Sequence, residues 1–111
     1  MPSETDRNAL KLAHDVFFTL NDDSPEAQQK LVDACHRHLA GHDGVVSFAA
    51  GTLVPDLQRP VNDRAYQVSL HLIFQTRAHH DAYQTSPRHL AFIEENRDNW
   101  KQVRVFDSNV S

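Results

Sequence analysis

Cysteine is nearly absent from this chain of 111 residues: Cys35 stands alone, so no internal disulfide can form and a reducing, cytoplasmic location is expected. Glycine is scarce as well, with three residues, which excludes a collagen-like or linker-like polymer. Lys and Arg number 11 against 15 Asp and Glu, and they form no run. That charge pattern leaves no basic footprint for a phosphate backbone or an anionic membrane, so neither nucleic acid nor membrane is an expected partner. No apolar stretch approaches the ~20 residues that span a bilayer. The polar opening Met1-Pro2-Ser3-Glu4-Thr5-Asp6-Arg7-Asn8 lacks the apolar centre of a signal peptide.

What is present describes one globular domain. Forty per cent of the residues are apolar and 23% charged, in a length typical of a single core. Residues 1–10 read as a flexible tail and residues 11–111 as the domain.

Periodicity divides that domain. Leu12, His14, Val16, Phe18 and Leu20 alternate onto one face of a first strand. Ser24 and Pro25 then carry an N-cap and a first helical position, with Glu26 near the positive end of the helix. Ala27, Leu31, Ala34, Cys35, His38 and Leu39 make the apolar stripe of that helix, and Gly41 ends it. A second strand is expected over Val45–Leu53. A proline-bearing connection, Val54 to Pro60, leads to a third strand over Arg64–Phe74, with Tyr66, Val68, Leu70, Leu72 and Phe74 on one face. The helical stretch Arg77–Asn96 is broken at Ser86-Pro87, where Ser86 can cap a second segment. Lys101–Asp107 closes the domain as a fourth strand.

The order β-α-β-β-α-β is the split pattern of a ferredoxin-like α+β fold, an antiparallel sheet with its helices on one face. The opposite face carries Phe17, His71, Ile73 and Phe106, more aromatic and aliphatic surface than a wet sheet face usually shows, and a second copy of the chain is expected to cover it.

The strand-one histidine in Leu12-Ala13-His14-Asp15-Val16-Phe17-Phe18, Gly51 within the second strand, the segment Tyr83-x3-Pro87-x-His89-x2-Phe92 and the closing Trp100 to Asp107 resemble the stress-responsive A/B barrel (Dabb) family from about Leu12 to Asp107. The resemblance implies a ferredoxin-like protomer and a homodimer whose sheets pack face to face as an α+β barrel. It also implies an internal pocket between sheet and helices. In catalytically active relatives such as a plant polyketide cyclase, that pocket uses a strand-one His with the Tyr and His of the motif, which fall here on His14, Tyr83 and His89.

The residues themselves add Asp107. The first and fourth strands are antiparallel neighbours in this topology, and Asp107 shares the parity of Val103 and Val105, so a hydrogen bond to His14 is expected. It would fix one tautomer of an imidazole held among apolar side chains and leave the other nitrogen to take or give a proton. Read without chemistry, the same pair simply satisfies itself at a sheet edge, and Tyr83 and His89 simply fill space and the first turn of a helix.

The pocket is expected to be lined by Val16 and Phe18 of the first strand, Leu31 and Cys35 of the first helix, Phe48, Leu70 and Leu72 of the middle strands, and Phe92, Trp100 and Val103 beyond. Cys35 reads as core, and no cofactor motif is present. His36-x-His38, His38-x3-His42 and His79-His80 have ligand-like spacings, yet no second cysteine or acidic cluster completes a tetrahedral set, so no metal is expected.

Two functions follow. One is a cofactor-independent cyclase, lyase or isomerase acting on a carbonyl-containing organic substrate. The other is a non-catalytic dimeric stress-response or hydrophobic-ligand-binding protein. A pocket of roughly 300 Å³ or more favours a ligand role, and closure by Phe48, Phe92 and Trp100 a structural one.

Overall fold

The computed structural model describes residues 10–111; apart from Leu10, the expected N-terminal tail lies outside the described residues. Strand β1 spans Lys11–Leu20, helix α1 Pro25–Leu39, β2 Val45–Thr52, β3 Val68–Phe74, α2 Arg77–Gln84, α3 Pro87–Asn96 and β4 Trp100–Val110, with a single 3₁₀ turn at Arg97–Asn99 before β4. The strands form one antiparallel sheet in the order β2-β3-β1-β4, which is the ferredoxin-like arrangement.

Local chemistry accounts for the helix boundaries. The Ser24 hydroxyl accepts the Ala27 N–H and Pro25 sits where its missing N–H costs nothing. Thr76 caps α2 through the His79 N–H, and Ser86 caps α3 through the His89 N–H. After α1 the chain turns through Gly41 and Gly44, both at positive φ, and a side chain at Gly44 would collide with the His79 ring.

The inward side of the sheet carries Leu12, Val16, Phe18 and Leu20 from β1 and Val68, Leu70, Leu72 and Phe74 from β3. These pack on Leu31, Ala34, Cys35 and Leu39 of α1 and on Tyr83 and Phe92 of the C-terminal helices, making one core. Burying a Leu- or Phe-sized side chain contributes roughly 1.5–3 kcal/mol, so this layer dominates the stabilisation.

The third strand is shorter than its pattern suggests, beginning at Val68 rather than Arg64. Gln67 still bonds the backbone of Phe18 and Leu53, but at Ala65 side chains take over from the ladder: Ala65 N–H donates to Asp63 Oδ1, and the Ala65 carbonyl accepts from the Thr19 hydroxyl. Tyr66 consequently does not share the face of Val68. Its ring lies 4.9 Å from that of Phe17 on the opposite side of the sheet. Strand β4 runs three residues beyond Asp107, to Val110, because β1 pairs with it along its whole length.

Candidate functional site

His14 lies in the middle of β1, cross-strand from Leu72 on one side and Asp107 on the other. Its position on the inward face leaves it only 4% exposed. Its Nδ1–H donates to Asp107 Oδ1 at 2.6 Å, which fixes the tautomer and leaves Nε2 as a lone-pair acceptor. The pairing expected from strand parity is therefore present.

The break at Ser86-Pro87 brings the motif residues together. Ser86 donates to the Tyr83 carbonyl through both its N–H and its hydroxyl, and its oxygen accepts the His89 N–H, so α2 ends and α3 begins within one tight corner. The Tyr83 and His89 rings end 4.7 Å apart, and Tyr83 lies 6.0 Å from the His14 ring. His80 flanks His14 at 5.1 Å, and His42 packs edge-on to Tyr83 at 5.0 Å.

His14, Tyr83 and His89 border a cavity of about 190 Å³, lined among others by Val16, Phe18, Leu70, Phe92, Trp100 and Val103. Four expected lining residues are elsewhere. Cys35 and Leu72 are sealed in the core because α1 covers that half of the sheet, Leu31 faces a separate surface cleft, and Phe48 packs on His36 at 5.1 Å. Leu39, Gln84, Ile93 and Val105 line the cavity without having been singled out from the sequence. The space lies under α2 and α3, towards β4, where Val103 and Val105 stay 40% and 49% exposed. At about 190 Å³ it falls short of the roughly 300 Å³ that favours a ligand role, and Phe92 and Trp100 narrow it while Phe48 does not.

Electrostatics separate the polar groups. Burial, with a smaller contribution from Cys35, pushes the Tyr83 phenol well above its ordinary range, so it remains a neutral donor. His89 is pushed down to about 4, chiefly by burial and further by the neighbouring His14, His42 and His80, so its ring is neutral at pH 7. Tyr83 Oη and His89 Nδ1 are buried without a hydrogen-bond partner in the protein. Trp100 Nε1, from another residue of the lining, is unpaired as well, and three such atoms around one small cavity are an energetic liability in the protein alone and an asset to a ligand that can pair with them. Cys35, raised to about 12 by burial, is no nucleophile.

The histidine spacings flagged as ligand-like do not converge. His38 Nε2–H donates to Glu95, His42 Nε2–H donates to the His38 carbonyl, and His79 contacts its own capping Thr76.

The chain matches the stress-responsive A/B barrel domain family over residues 12–110. It belongs to that family. This Dabb chain also superposes on a dabb family protein with a ferredoxin-like fold from Mesorhizobium loti, with TM-score 0.74 and 21% identity over 89% of this chain and 95% of the other. A dimeric ferredoxin-like protein of unknown function from Thermobifida fusca gives TM-score 0.75 and 17% identity, covering 92% of each chain. A hydroxynitrile lyase from Passiflora edulis gives 0.73 and 18% identity over 93% and 95%. At these identities the likenesses establish the fold of the Dabb chain. Among curated proteins none matches. No helix among the described residues is long and apolar enough to cross a membrane.

Proposed function

We propose that this Dabb protein is a homodimeric, cofactor-independent acid–base enzyme acting on a small organic substrate with a carbonyl or hydroxyl group. The observation that carries the reading is the convergence of three groups on one apolar cavity: His14, Tyr83 Oη and His89 Nδ1, the last two without protein partners. A cavity of about 190 Å³ suits one ring or a short chain, since roughly 150 Å³ of apolar space accommodates benzene.

In the reaction, His14 Nε2 takes a proton from the carbon next to the carbonyl. Asp107 stabilises the imidazolium that forms, and the neutral Tyr83 phenol donates to the developing enolate oxygen. His89, neutral at pH 7, positions a substrate oxygen through Nδ1. Return of the proton from His14 to a different atom of the enolate completes an isomerisation. Attack of the enolate carbon on a second carbonyl of the same molecule, whose oxygen takes the proton from His14, completes a cyclisation. Loss of a group from the carbon next to the enolate carbon, the group leaving with its bonding pair and taking the proton from His14, gives a lyase. That a relative of the same fold is called a hydroxynitrile lyase supports testing hydroxynitriles beside ketones.

The homodimer is proposed through the outer sheet face. Phe17 packs on Tyr66, His71 and Phe106 there, at 4.9, 5.9 and 5.7 Å, with Ile73 on the same face, and Phe106 is 54% exposed. Solved relatives described as dimeric support this arrangement.

Deuterium uptake from D2O at the carbon next to the carbonyl, across a panel of small aryl ketones and followed by NMR, tests the chemistry. The protein should accelerate uptake, and His89→Ala should abolish it while the dimer stays folded. Undiminished exchange by His89→Ala overturns the assignment. Saturable binding of these probes with no exchange would instead support the non-catalytic ligand-binding reading.

A further inference from the structure

His80 packs edge-on to Phe74 at 5.6 Å and has no part in the acid–base reading. It stands on the first full turn of α2, its side chain only 13% exposed, and its Nδ1–H donates to Asp81 Oδ1 at 2.9 Å. This leaves Nε2 as a lone-pair acceptor. His14 is arranged in the same way, with Nδ1–H on Asp107 and Nε2 free. Both Nε2 atoms meet one group: the Gln84 amide nitrogen lies 3.5 Å from His14 Nε2 and 3.4 Å from His80 Nε2. Ligand atoms of His14, His80 and Asp107 fall within 4.8 Å of one another.

From this geometry we infer a binding site for a transition-metal dication, with His14 Nε2 and His80 Nε2 as the two nitrogen ligands and the Gln84 side-chain oxygen as the third. His80 and Gln84 are four residues apart on one helix, so both project from the same face. His14 supplies the opposing ligand from β1. In the described arrangement the Gln84 NH2 donates to both imidazoles at the long end of hydrogen bonding, which is a weak hold. Turning the amide by half a rotation puts its oxygen where the nitrogen was, and the site becomes three converging lone pairs.

The second layer fits the same chemistry. Imidazoles that bind metals almost always donate their other N–H to a carboxylate or carbonyl, which orients the ring and strengthens it as a ligand. Here each ring has its own carboxylate, Asp107 behind His14 and Asp81 behind His80. Those two carboxylates offset the charge of the ion. Two imidazoles and one neutral oxygen select Zn²⁺, Ni²⁺, Co²⁺ or Cu²⁺ over Mg²⁺ or Ca²⁺, which require an oxygen-rich shell. Binding at about 2.0–2.1 Å from each nitrogen requires the three side chains to close inward, and water completes the fourth position. The site shares His14 with the proposed proton transfer, so a bound ion withdraws that nitrogen from substrate. Ion binding itself does not depend on any turnover.

Titration of the untagged, full-length protein with Zn²⁺ by calorimetry, and with Co²⁺ by visible absorption, tests the site. One ion per chain should bind, and the Co²⁺ form should show the strong d–d absorption of a low-coordinate nitrogen site. His80→Ala should remove the tight equivalent, and Asp81→Asn, which leaves both rings in place, should weaken it about tenfold. His89→Ala and His38→Ala should bind as the unaltered protein does. Circular dichroism establishes that each variant is folded. Unchanged affinity in both His80→Ala and Asp81→Asn, or no binding at ~1 mM ion, overturns the proposal.

Discussion

Asp107 stands directly across the β1–β4 ladder from His14, and its Oδ1 accepts the His14 Nδ1–H at 2.6 Å although one partner is buried and the other is 45% exposed. The exposed carboxylate solvates an N–H that water cannot reach. Asp107→Ala should therefore destabilise the protein by about 1–3 kcal/mol, the cost of a buried donor without an acceptor. Asp107→Asn, whose side-chain oxygen still accepts, should recover most of that loss. Urea unfolding of the two variants measures both, and equal stability of Asp107→Ala and the unaltered protein would show that His14 is satisfied in some other way.

Tyr83→Phe should separate stability from function. The phenol oxygen is buried without a partner, so removing it should leave stability unchanged or raise it by up to ~2 kcal/mol. Proton exchange, if it uses the Tyr83 O–H as donor, should fall by about 10²–10³. A large loss of stability in the urea midpoint would mean that the hydroxyl is already paired in the protein.

The acid side of the stability profile should depend on His89. In the unfolded chain its ring protonates near pH 6.5, whereas in the folded protein it stays neutral down to about 4. Between those values the unfolded state binds more protons, so stability falls as pH drops from about 6.5 to about 4 and this contribution is constant below that. The ring is only partly buried, and solvent screening reduces the effect to the order of 1 kcal/mol. His89→Gln should flatten this part of the curve. The other seven histidines are common to both proteins, so the difference between the two curves isolates the contribution of residue 89.

The periodic parts of the chain were legible because their patterns coincide with their tertiary roles. Alternation from Leu12 to Leu20, the Ser24-Pro25 cap and the Ser86-Pro87 break each specify one local structure and leave little else possible. The His14–Asp107 pair was also within reach, since side-chain parity survives in any antiparallel neighbour. Tyr66 was not, because alternation cannot reveal that Asp63 and Thr19 take the backbone groups a longer strand would use. The cavity lining was half legible for a related reason: the stripe of α1 announces that Cys35 and Leu31 are apolar, but not that α1 closes its half of the sheet. His80 and Gln84 carried a usable signal, a four-residue spacing on one helix face, but the dipeptide His79-His80 drew attention to the wrong neighbour.

The outer sheet face supplies the last prediction. Phe106 lies on β4 cross-strand from Asp15, its ring packs on Phe17, and half of its surface faces solvent. Around it are the His71–Asp15 pair at 2.8 Å and Arg104, which donates to Asp63 at 2.6 Å. An aromatic centre with paired charges nearby is the composition of a protein interface, where a few aromatic residues supply most of the association energy. Phe106→Asp places a carboxylate in that centre in each copy, so two like charges would meet across a twofold axis or each be buried without a partner. The substitution should cost at least about 2 kcal/mol of association, roughly a thirtyfold weaker dimer. Because Phe106 points away from the core, unfolding of the separated chain should be nearly unaffected. Sedimentation equilibrium of the two proteins over a range of concentrations decides the matter: a concentration-dependent shift to single chains only in Phe106→Asp assigns this face to the dimer. Equal association of both proteins would move the contact to another surface.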